Sequence, residues 1–223
     1  MKRVVIACQT VEKELRRVLP EDVGLEVLEQ GLHRTPQKLK ESLQQAIDSI
    51  DADEILLGYG LCGNGVVGLR SARARLVVPK VDDCIALLLG SFERYIEEFR
   101  REPGTYWFSA GWIEHGSDPY KEYLRSVEKW DEETARWVAG EMMKGYRRAV
   151  LIDTDACPVD QLRSYSQNFA HFFDLAYREM EGGDGLLEAL VTPAVRDSRF
   201  VVVEPGEEIT AEMFQAALGT VNG

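Results

Sequence analysis

The sequence predicts an α/β protein with a three-layer, mostly parallel, Rossmann-like sheet. Short apolar, β-rich segments alternate with helical segments of about ten to twenty residues. The chain has 223 residues, 45% of them hydrophobic, which is enough to bury one substantial core. We therefore expect a single domain, residues 1–223, with a helical insertion around 115–147.

The first half of the chain contains four predicted strands, at 3–8, 24–28, 54–58 and 75–79. A helix at 11–19 separates the first two and ends at Pro20, because proline cannot continue a helix. The next helix begins at Pro36 after the N-cap Thr35. Its apolar residues have helical spacing: Leu39, Leu43, Ala46, Ile47 and Ile50. After the fourth strand, Asp82 or Asp83 is expected to cap a helix that runs to Phe99.

The second half contains predicted strands at 105–108, 149–153 and 199–203. Two charged helical segments within 118–146 interrupt the alternation of strands and helices, which is why an insertion is placed there. A long helix is predicted from Pro158 through Tyr177, and glycines at 182, 183 and 185 are expected to end it. Thr210 is predicted to cap a short final helix.

The charge balance excludes several classes of partner. The chain has 38 acidic and 26 basic residues, a formal net charge of −12, so nucleic acid and anionic membranes would be repelled. No apolar run approaches the roughly 18 residues of a membrane span, and the apolar start is too short for a signal peptide. We therefore expect a cytoplasmic protein.

The length of the chain excludes a small disulfide scaffold. The four cysteines are far apart, without a C-x-x-C pair, and this spacing excludes a local zinc finger. Each of them nevertheless ends or closely follows a predicted strand. Parallel strands present their carboxyl ends at one edge, where open sheets bind ligands. His33 and His115 follow the second and fifth strands, whereas His171 lies inside a helix and is expected on its face or in the core. The candidate metal ligands are Cys8, Cys62, Cys84, Cys157, His33 and His115.

Thiolates and imidazoles suit zinc, copper(I) or an iron–sulfur cluster. Zinc would activate a thiol or water, whereas a cluster would support electron transfer. The opposing interpretation is that the cysteines are free and pack as small hydrophobic residues. Tyr106, Trp107 and Trp112 either form the wall of a pocket or pack the sheet against the insertion.

A glycine-rich stretch, GYGLCGNG, follows the third predicted strand. Its Gly58, Gly60 and Gly63 match the dinucleotide fingerprint in spacing, but that fingerprint normally follows the first strand of the nucleotide unit. A tight loop that presents Cys62 to a bulky ligand fits better, with Gly58, Gly60, Gly63 and Asn64 as candidate cofactor-binding residues. The stretch also looks like a nucleophile elbow around Cys62, although the sequence pairs no base with it.

Three motifs together resemble one uncharacterised family: LLGYGLCGNGVVGL at 56–69, VPKVDDCIALLLGS at 78–91 and TYWFSAGW at 105–112. They are similar to the domain of unknown function 1638. The family pattern includes Cys8, Cys62 and Cys84, with Gln9 here in place of a usual glycine. The resemblance implies a link to one-carbon metabolism, with a corrinoid protein or its methyltransferase as partner. It implies no specific reaction.

The leading hypothesis is a protein that binds zinc or an iron–sulfur cluster through cysteines at the carboxyl edge of the sheet and serves corrinoid-linked methyl transfer. The first alternative is a metal-free protein that binds a small ligand or assists a corrinoid methyltransferase. The second alternative is a transferase that uses a cysteine nucleophile.

Overall fold

The computed structural model describes residues 1–192 and 197–214, and it confirms an α/β, Rossmann-like fold. The strands of this part of the chain are β1 Arg3–Cys8, β2 Val23–Leu28, β3 Glu54–Gly58, β4 Arg75–Pro79, β5 Thr105–Phe108, β6 Arg148–Asp153, β7 Ala176–Glu181 and β8 Phe200–Val203. Its α-helices are α1 Glu12–Val18, α2 Pro36–Ser49, α3 Cys84–Leu88, α4 Phe92–Arg101, α5 Ala110–His115, α6 Pro119–Val127, α7 Glu132–Met142, α8 Val159–Phe172 and α9 Gly185–Val191. The helix predicted after Thr210 is present at 212–214, and its remainder lies outside the described residues.

The strands form two sheets rather than one. A five-stranded sheet has the order β2-β1-β3-β4-β8, in which the first four strands are parallel and β8 is antiparallel to β4. A second sheet has the order β5-β6-β7 and is parallel throughout. The prediction of mostly parallel strands is therefore confirmed. The carboxyl ends of these strands, however, lie at the edges of two different sheets.

Alternation along the buried strands gives the first sheet two apolar faces. In β1, Val5 and Ala7 join one core cluster, whereas Ile6 and Cys8 join the cluster on the opposite face. The first cluster includes residues of α1, α3 and α9. The second includes four residues of the stripe predicted for α2, Leu39, Leu43, Ala46 and Ile47, and the fifth, Ile50, packs against it. Helices thus cover both faces, which gives the three predicted layers.

The second sheet packs against the first through one of its own faces. Trp107, Ile152 and Met180 belong to the same apolar cluster as residues of α1, α3 and α9. On the other face, Phe108 and Leu151 pack with Phe169 of α8 in a separate cluster. Strand β5 is an edge strand of the second sheet, and its Trp107 packs against the apolar cluster of the first sheet.

Two predicted helices differ from the observed elements. The helix expected through residue 99 is divided into α3 and α4, because Gly90 has φ +73° and Ser91 caps a new helix. The helix expected through Tyr177 ends at Phe172, with Asp174 at φ +53°, and β7 follows. The prediction of a helix here was wrong because the arginine and glutamates of β7 have helical propensity. Most of this edge strand is also exposed, so its sequence lacks the apolar pattern of a buried strand.

A buried ion pair and a hydrogen bond join helix α4 and strand β5 to strand β6. The Arg148 guanidinium on β6 donates to Glu98 Oε2 on α4 at 2.9 Å and to Thr105 Oγ1 on β5 at 2.7 Å. Only 10% of the Arg148 side chain and 9% of the Glu98 side chain are exposed. These contacts fix β5 relative to α4, and both elements contribute to the cavity described below.

Within residues 1–192 and 197–214, no helix combines the length and the apolar character needed to cross a membrane. The helices predicted in the insertion are confirmed as α6 and α7. Helix α7 buries the small residues Ala135 and Ala139 and leaves Trp137 66% exposed.

Candidate functional site

A cavity of about 730 Å³ lies between the carboxyl edge of the first sheet and strand β5 of the second. The loops after β1, β3 and β4 form its floor, through residues that include Cys8, Cys62 and Cys84. Residues of α4, β5, α5 and the segment before β6 form its walls. This is the kind of crevice in which open α/β sheets bind ligands.

Four of the six predicted ligands line this cavity: Cys8, Cys62, Cys84 and His33. They follow or end four neighbouring strands in spatial order, because His33 follows β2, Cys8 ends β1, Cys62 follows β3 and Cys84 follows β4. Each of the four mutually parallel strands of the first sheet therefore contributes one candidate ligand to the same cavity.

The loops after β3 and β4 are joined by backbone hydrogen bonds. The amide of Leu61 donates to Val81 O and the amide of Cys62 donates to Asp82 O, both at 2.8 Å. A Cβ atom on Gly60 would lie 2.7 Å from Val81 O, so this approach requires glycine. Cys62 itself has φ +47°, a conformation rare for residues with a side chain. The turn thus holds the Cys62 loop against the loop that carries Cys84.

Asp83 is the N-cap of α3, as predicted for Asp82 or Asp83. Its carboxylate accepts from the amide of Ile85 at 2.9 Å and from the hydroxyl of Tyr95. Burial raises the pKa of Asp83 to about 6, with these hydrogen bonds acting in the opposite direction. Asp83 therefore places a carboxylate in the cavity next to Cys84.

The imidazole of His33 is fixed by a backbone contact. Its Nδ1 hydrogen-bonds the carbonyl oxygen of Gln30, which can only accept, so Nδ1 carries the proton. Nε2 is then left with its lone pair, the arrangement commonly found in metal-bound histidines. Burial lowers the pKa of His33, which keeps the ring neutral, and its centroid is 5.3 Å from that of Trp112.

Burial also keeps the three floor thiols protonated. Burial raises the pKa of Cys62 to about 12 and that of Cys84 well above its ordinary value. It also raises the pKa of Cys8, although the hydrogen bonds between Cys8 and Thr10 act in the opposite direction. Each thiolate would further disfavour ionisation of its neighbours. Among them lies the hydroxyl of Tyr59, a residue only 2% exposed whose hydroxyl has no hydrogen-bond partner in the described structure.

These pKa values predict slow alkylation. At about pH 8, a thiol with a pKa of about 12 is ionised roughly a thousandfold less than an ordinary cysteine, and only the thiolate reacts with iodoacetamide. In metal-free folded protein we therefore expect Cys62 and Cys84 to react at least about a hundredfold more slowly than after unfolding in urea. Mass spectrometry of timed samples gives the rate at each cysteine, and equal rates in folded and unfolded protein would contradict the expectation.

Cys157 and His115 lie outside the cavity. Cys157 follows β6, a strand of the second sheet, so the expectation that all four cysteines share one sheet edge is wrong. His115 ends α5, is exposed, and has its Nε2 4.0 Å from Glu114 Oε1. His171, expected on a helix face or in the core, is on the exposed face of α8.

The glycine-rich stretch has a packing role. Gly58 and Gly63 line the cavity, whereas Gly60 and Asn64 do not. A Cβ atom on Gly58 would lie 2.9 Å from that of Ala7, so close packing between strands explains this glycine. The chain passes from β3 to β4 without the helix that a dinucleotide fingerprint requires, so the pattern has a different role here.

Aromatic side chains dominate the walls, at eight of the 25 lining residues. Tyr106, Trp107 and Trp112 were candidates from the sequence. The others were missed because they lie on a helix or in loops with no sequence signal of a pocket: Tyr59, Tyr95, Phe99 and Tyr146, with Phe108 at the end of β5.

In this conformation, the 1–192 and 197–214 segments contain no group of three or more His, Cys, Asp or Glu side chains placed to hold a metal ion. The three thiols and His33 share the cavity, and side-chain rotations would be needed to bring their donor atoms around one ion.

Comparison with known proteins identifies one family. The sequence model described as "Protein of unknown function (DUF1638)" matches residues 27–191. That range includes Cys62, Cys84 and His33, whereas Cys8 precedes it. No curated protein and no solved structure matches the chain.

Proposed function

The chain belongs to the DUF1638 family of proteins of unknown function, and we propose that it binds a metal ion or an iron–sulfur cluster through Cys8, Cys62 and Cys84 on the cavity floor. The observation that carries the proposal is the convergence of ligands from four neighbouring strands on one cavity. His33 is the proposed fourth ligand, because its Nε2 carries a lone pair.

The donor set fits such a group. Three thiolates and one imidazole form a common tetrahedral zinc shell, and three thiolates can hold a cluster with one iron open. Metal binding would displace protons from the three floor thiols, and the charge of the metal would offset the mutual repulsion of the thiolates. The Tyr59 hydroxyl has no other partner in the described residues, so it could donate a hydrogen bond to a metal-bound thiolate or to a cluster sulfide. A bound zinc would act as a Lewis acid, and a cluster would carry electrons.

The proposal extends to a role in one-carbon metabolism with a corrinoid protein or methyltransferase as partner. The resemblance of the three sequence motifs to the family supports this part. Cys62 as a nucleophile is a weaker candidate, because burial raises its pKa to about 12 whereas an activated nucleophile needs a lowered pKa.

The test is anaerobic purification followed by metal analysis and an absorption spectrum. Iron and sulfide with broad absorption at about 400 nm would support a cluster, and stoichiometric zinc without colour would support a zinc site. Single serine substitutions at Cys8, Cys62 and Cys84 should each lower the metal content per chain. Cys157→Ser is the matched control, because Cys157 lies outside the cavity, and it should leave the metal content unchanged.

Circular dichroism of each variant separates lost ligands from lost folding. Folded wild-type protein that is free of metal after anaerobic purification, with reduced thiols, would overturn the proposal. Equal metal content in the Cys62→Ser and Cys157→Ser variants would place any metal elsewhere.

A metal-free ligand-binding protein is the second candidate, and the aromatic walls favour it. The Tyr59 hydroxyl is a buried polar group without a hydrogen-bond partner in the described residues, and Tyr59 lines the cavity. Such groups are normally satisfied in folded proteins, and a ligand with a polar acceptor would satisfy this one.

A further inference from the structure

We propose that the cavity binds a methylated ammonium cation, of choline size or larger, between its aromatic walls and the carboxylate of Asp83. The inference rests on the proposed function only in taking this cavity as the ligand site. It requires no metal, so the two proposals can fail separately.

The first observation is the distribution of charge. Among the 25 lining residues, Asp83 is the one Asp or Glu and Lys144 is the one Lys or Arg. The Lys144 side chain is 76% exposed and its Nζ is 3.6 Å from Glu141 Oε2, so it lies in solvent with a partner of its own. Asp83 is the charge inside the cavity, and no Lys, Arg or His of residues 1–192 and 197–214 forms an ion pair with it. The interior therefore favours a cation over an anion.

The second observation is the aromatic lining of the same cavity. Tyr95, Tyr106 and Trp112 reach the cavity from three different elements, α4, β5 and α5. In the described part of the chain, no lysine or arginine lies over any of these three rings, whereas the Arg148 guanidinium already lies 5.9 Å from the ring of Trp107. Aromatic rings attract cations through the ring quadrupole, and aromatic cages recognise quaternary ammonium groups in this way.

The chemistry of the walls selects among cations. A primary ammonium carries three N–H donors, each of which needs an acceptor when it leaves water. A quaternary ammonium has no N–H donor, so it gives up no donated hydrogen bond when it contacts rings and aliphatic side chains such as Ile85 and Leu88. Its charge needs one counter-ion, which Asp83 provides. A cavity of about 730 Å³ has room for more than the cationic head, so the ligand class includes larger methylated ammonium compounds.

The test compares choline with its uncharged analogue dimethylbutanol, in which carbon replaces the quaternary nitrogen. Binding is measured by isothermal titration calorimetry at about pH 8, where a carboxylate is ionised. We expect choline to bind at least about tenfold more tightly than the analogue, since a desolvated cation–π contact is worth that much or more. Tetramethylammonium should compete with choline.

Two pairs of variants locate the binding. Asp83→Asn keeps a good N-cap for α3 but removes the charge, and Trp112→Leu removes a ring, so each should weaken choline binding about tenfold. The matched controls are Asp82→Asn, the neighbouring carboxylate outside the cavity lining, and Trp137→Leu on the exposed face of α7. Both controls should bind choline like the wild type.

The same titrations on the Cys62→Ser variant, with its metal content measured, separate this inference from the proposed function. Choline binding that persists in that variant, whether or not metal is lost, would support the cavity as a cation site in its own right. The inference would be overturned if choline and the analogue bound equally, if neither choline nor tetramethylammonium bound at millimolar concentration, or if the Asp83 and Asp82 variants behaved alike.

Discussion

Gly60→Ala is expected to destabilise the protein by about 3 kcal/mol, which lowers the melting temperature by roughly 6–12 °C. The added methyl would lie 2.7 Å from Val81 O and 2.8 Å from the amide nitrogen of Asp83, and backbone atoms cannot rotate away as a side chain can. The loop after β3 would have to separate from the loop after β4. That movement breaks the hydrogen bonds of Leu61 and Cys62 to the second loop, each worth about 1 kcal/mol.

The matched control for that prediction is Gly140→Ala. Gly140 lies in helix α7, and a Cβ atom there would meet nothing within 4 Å, so alanine should stabilise the protein by about 0.5–1 kcal/mol. Urea unfolding of both variants gives the free energies. If Gly60→Ala had the same free energy of unfolding as the wild type, the result would contradict the close approach of the loops after β3 and β4. The same variant should also bind less metal if the floor thiols are ligands, because the movement separates Cys62 from Cys84.

Glu98→Ala is expected to cost about 3–5 kcal/mol of unfolding free energy. The substitution leaves the Arg148 guanidinium buried without its carboxylate partner, 2.9 Å away in the wild type. It also loosens the attachment of α4 to β5 and β6, which together provide Tyr95, Tyr106 and Trp107 to the cavity. A smaller loss is expected for Glu98→Gln, which keeps an oxygen acceptor for Arg148.

The neighbouring carboxylate at position 97 offers a matched control. Glu97 is exposed on the same helix, so Glu97→Ala should change the unfolding free energy by less than about 0.5 kcal/mol. Chemical denaturation monitored by circular dichroism measures all three variants. A Glu98→Ala variant as stable as Glu97→Ala would show that the buried ion pair contributes little.

Local sequence patterns were sufficient to predict most of the elements. Helix α2 is an example, because Pro36 and the apolar stripe after it specify where a helix begins and which face it buries. Strand β7 could not be predicted, since its arginine and glutamates have helical propensity and its strand state depends on pairing with β6. The division into two sheets was missed for a related reason. Pairing joins residues that are distant in sequence, and every buried parallel strand has the same apolar pattern.

The candidate site was predictable where it depends on strand ends. Cys8, Cys62, Cys84 and His33 follow from the rule that parallel strands present their carboxyl ends at one edge. Cys157 satisfies the same rule, but in the other sheet, so the rule alone could not separate it from the rest. The wall residues on α4 and before β6 could not be found, because their role arises only when the two sheets pack together.

Because the cavity lies between the two sheets, a bound ligand stabilises the packing of one sheet against the other. Cys62 and Cys84 belong to the first sheet's loops, and Tyr106 and Trp107 belong to the second sheet, so a bound ligand touches both. Separation of the sheets would destroy the site, and binding therefore opposes separation through thermodynamic linkage. At a hundredfold excess over its Kd, a ligand adds about 2.7 kcal/mol to the docked arrangement. The ligand concentration thereby sets how stable the packing between the two sheets is.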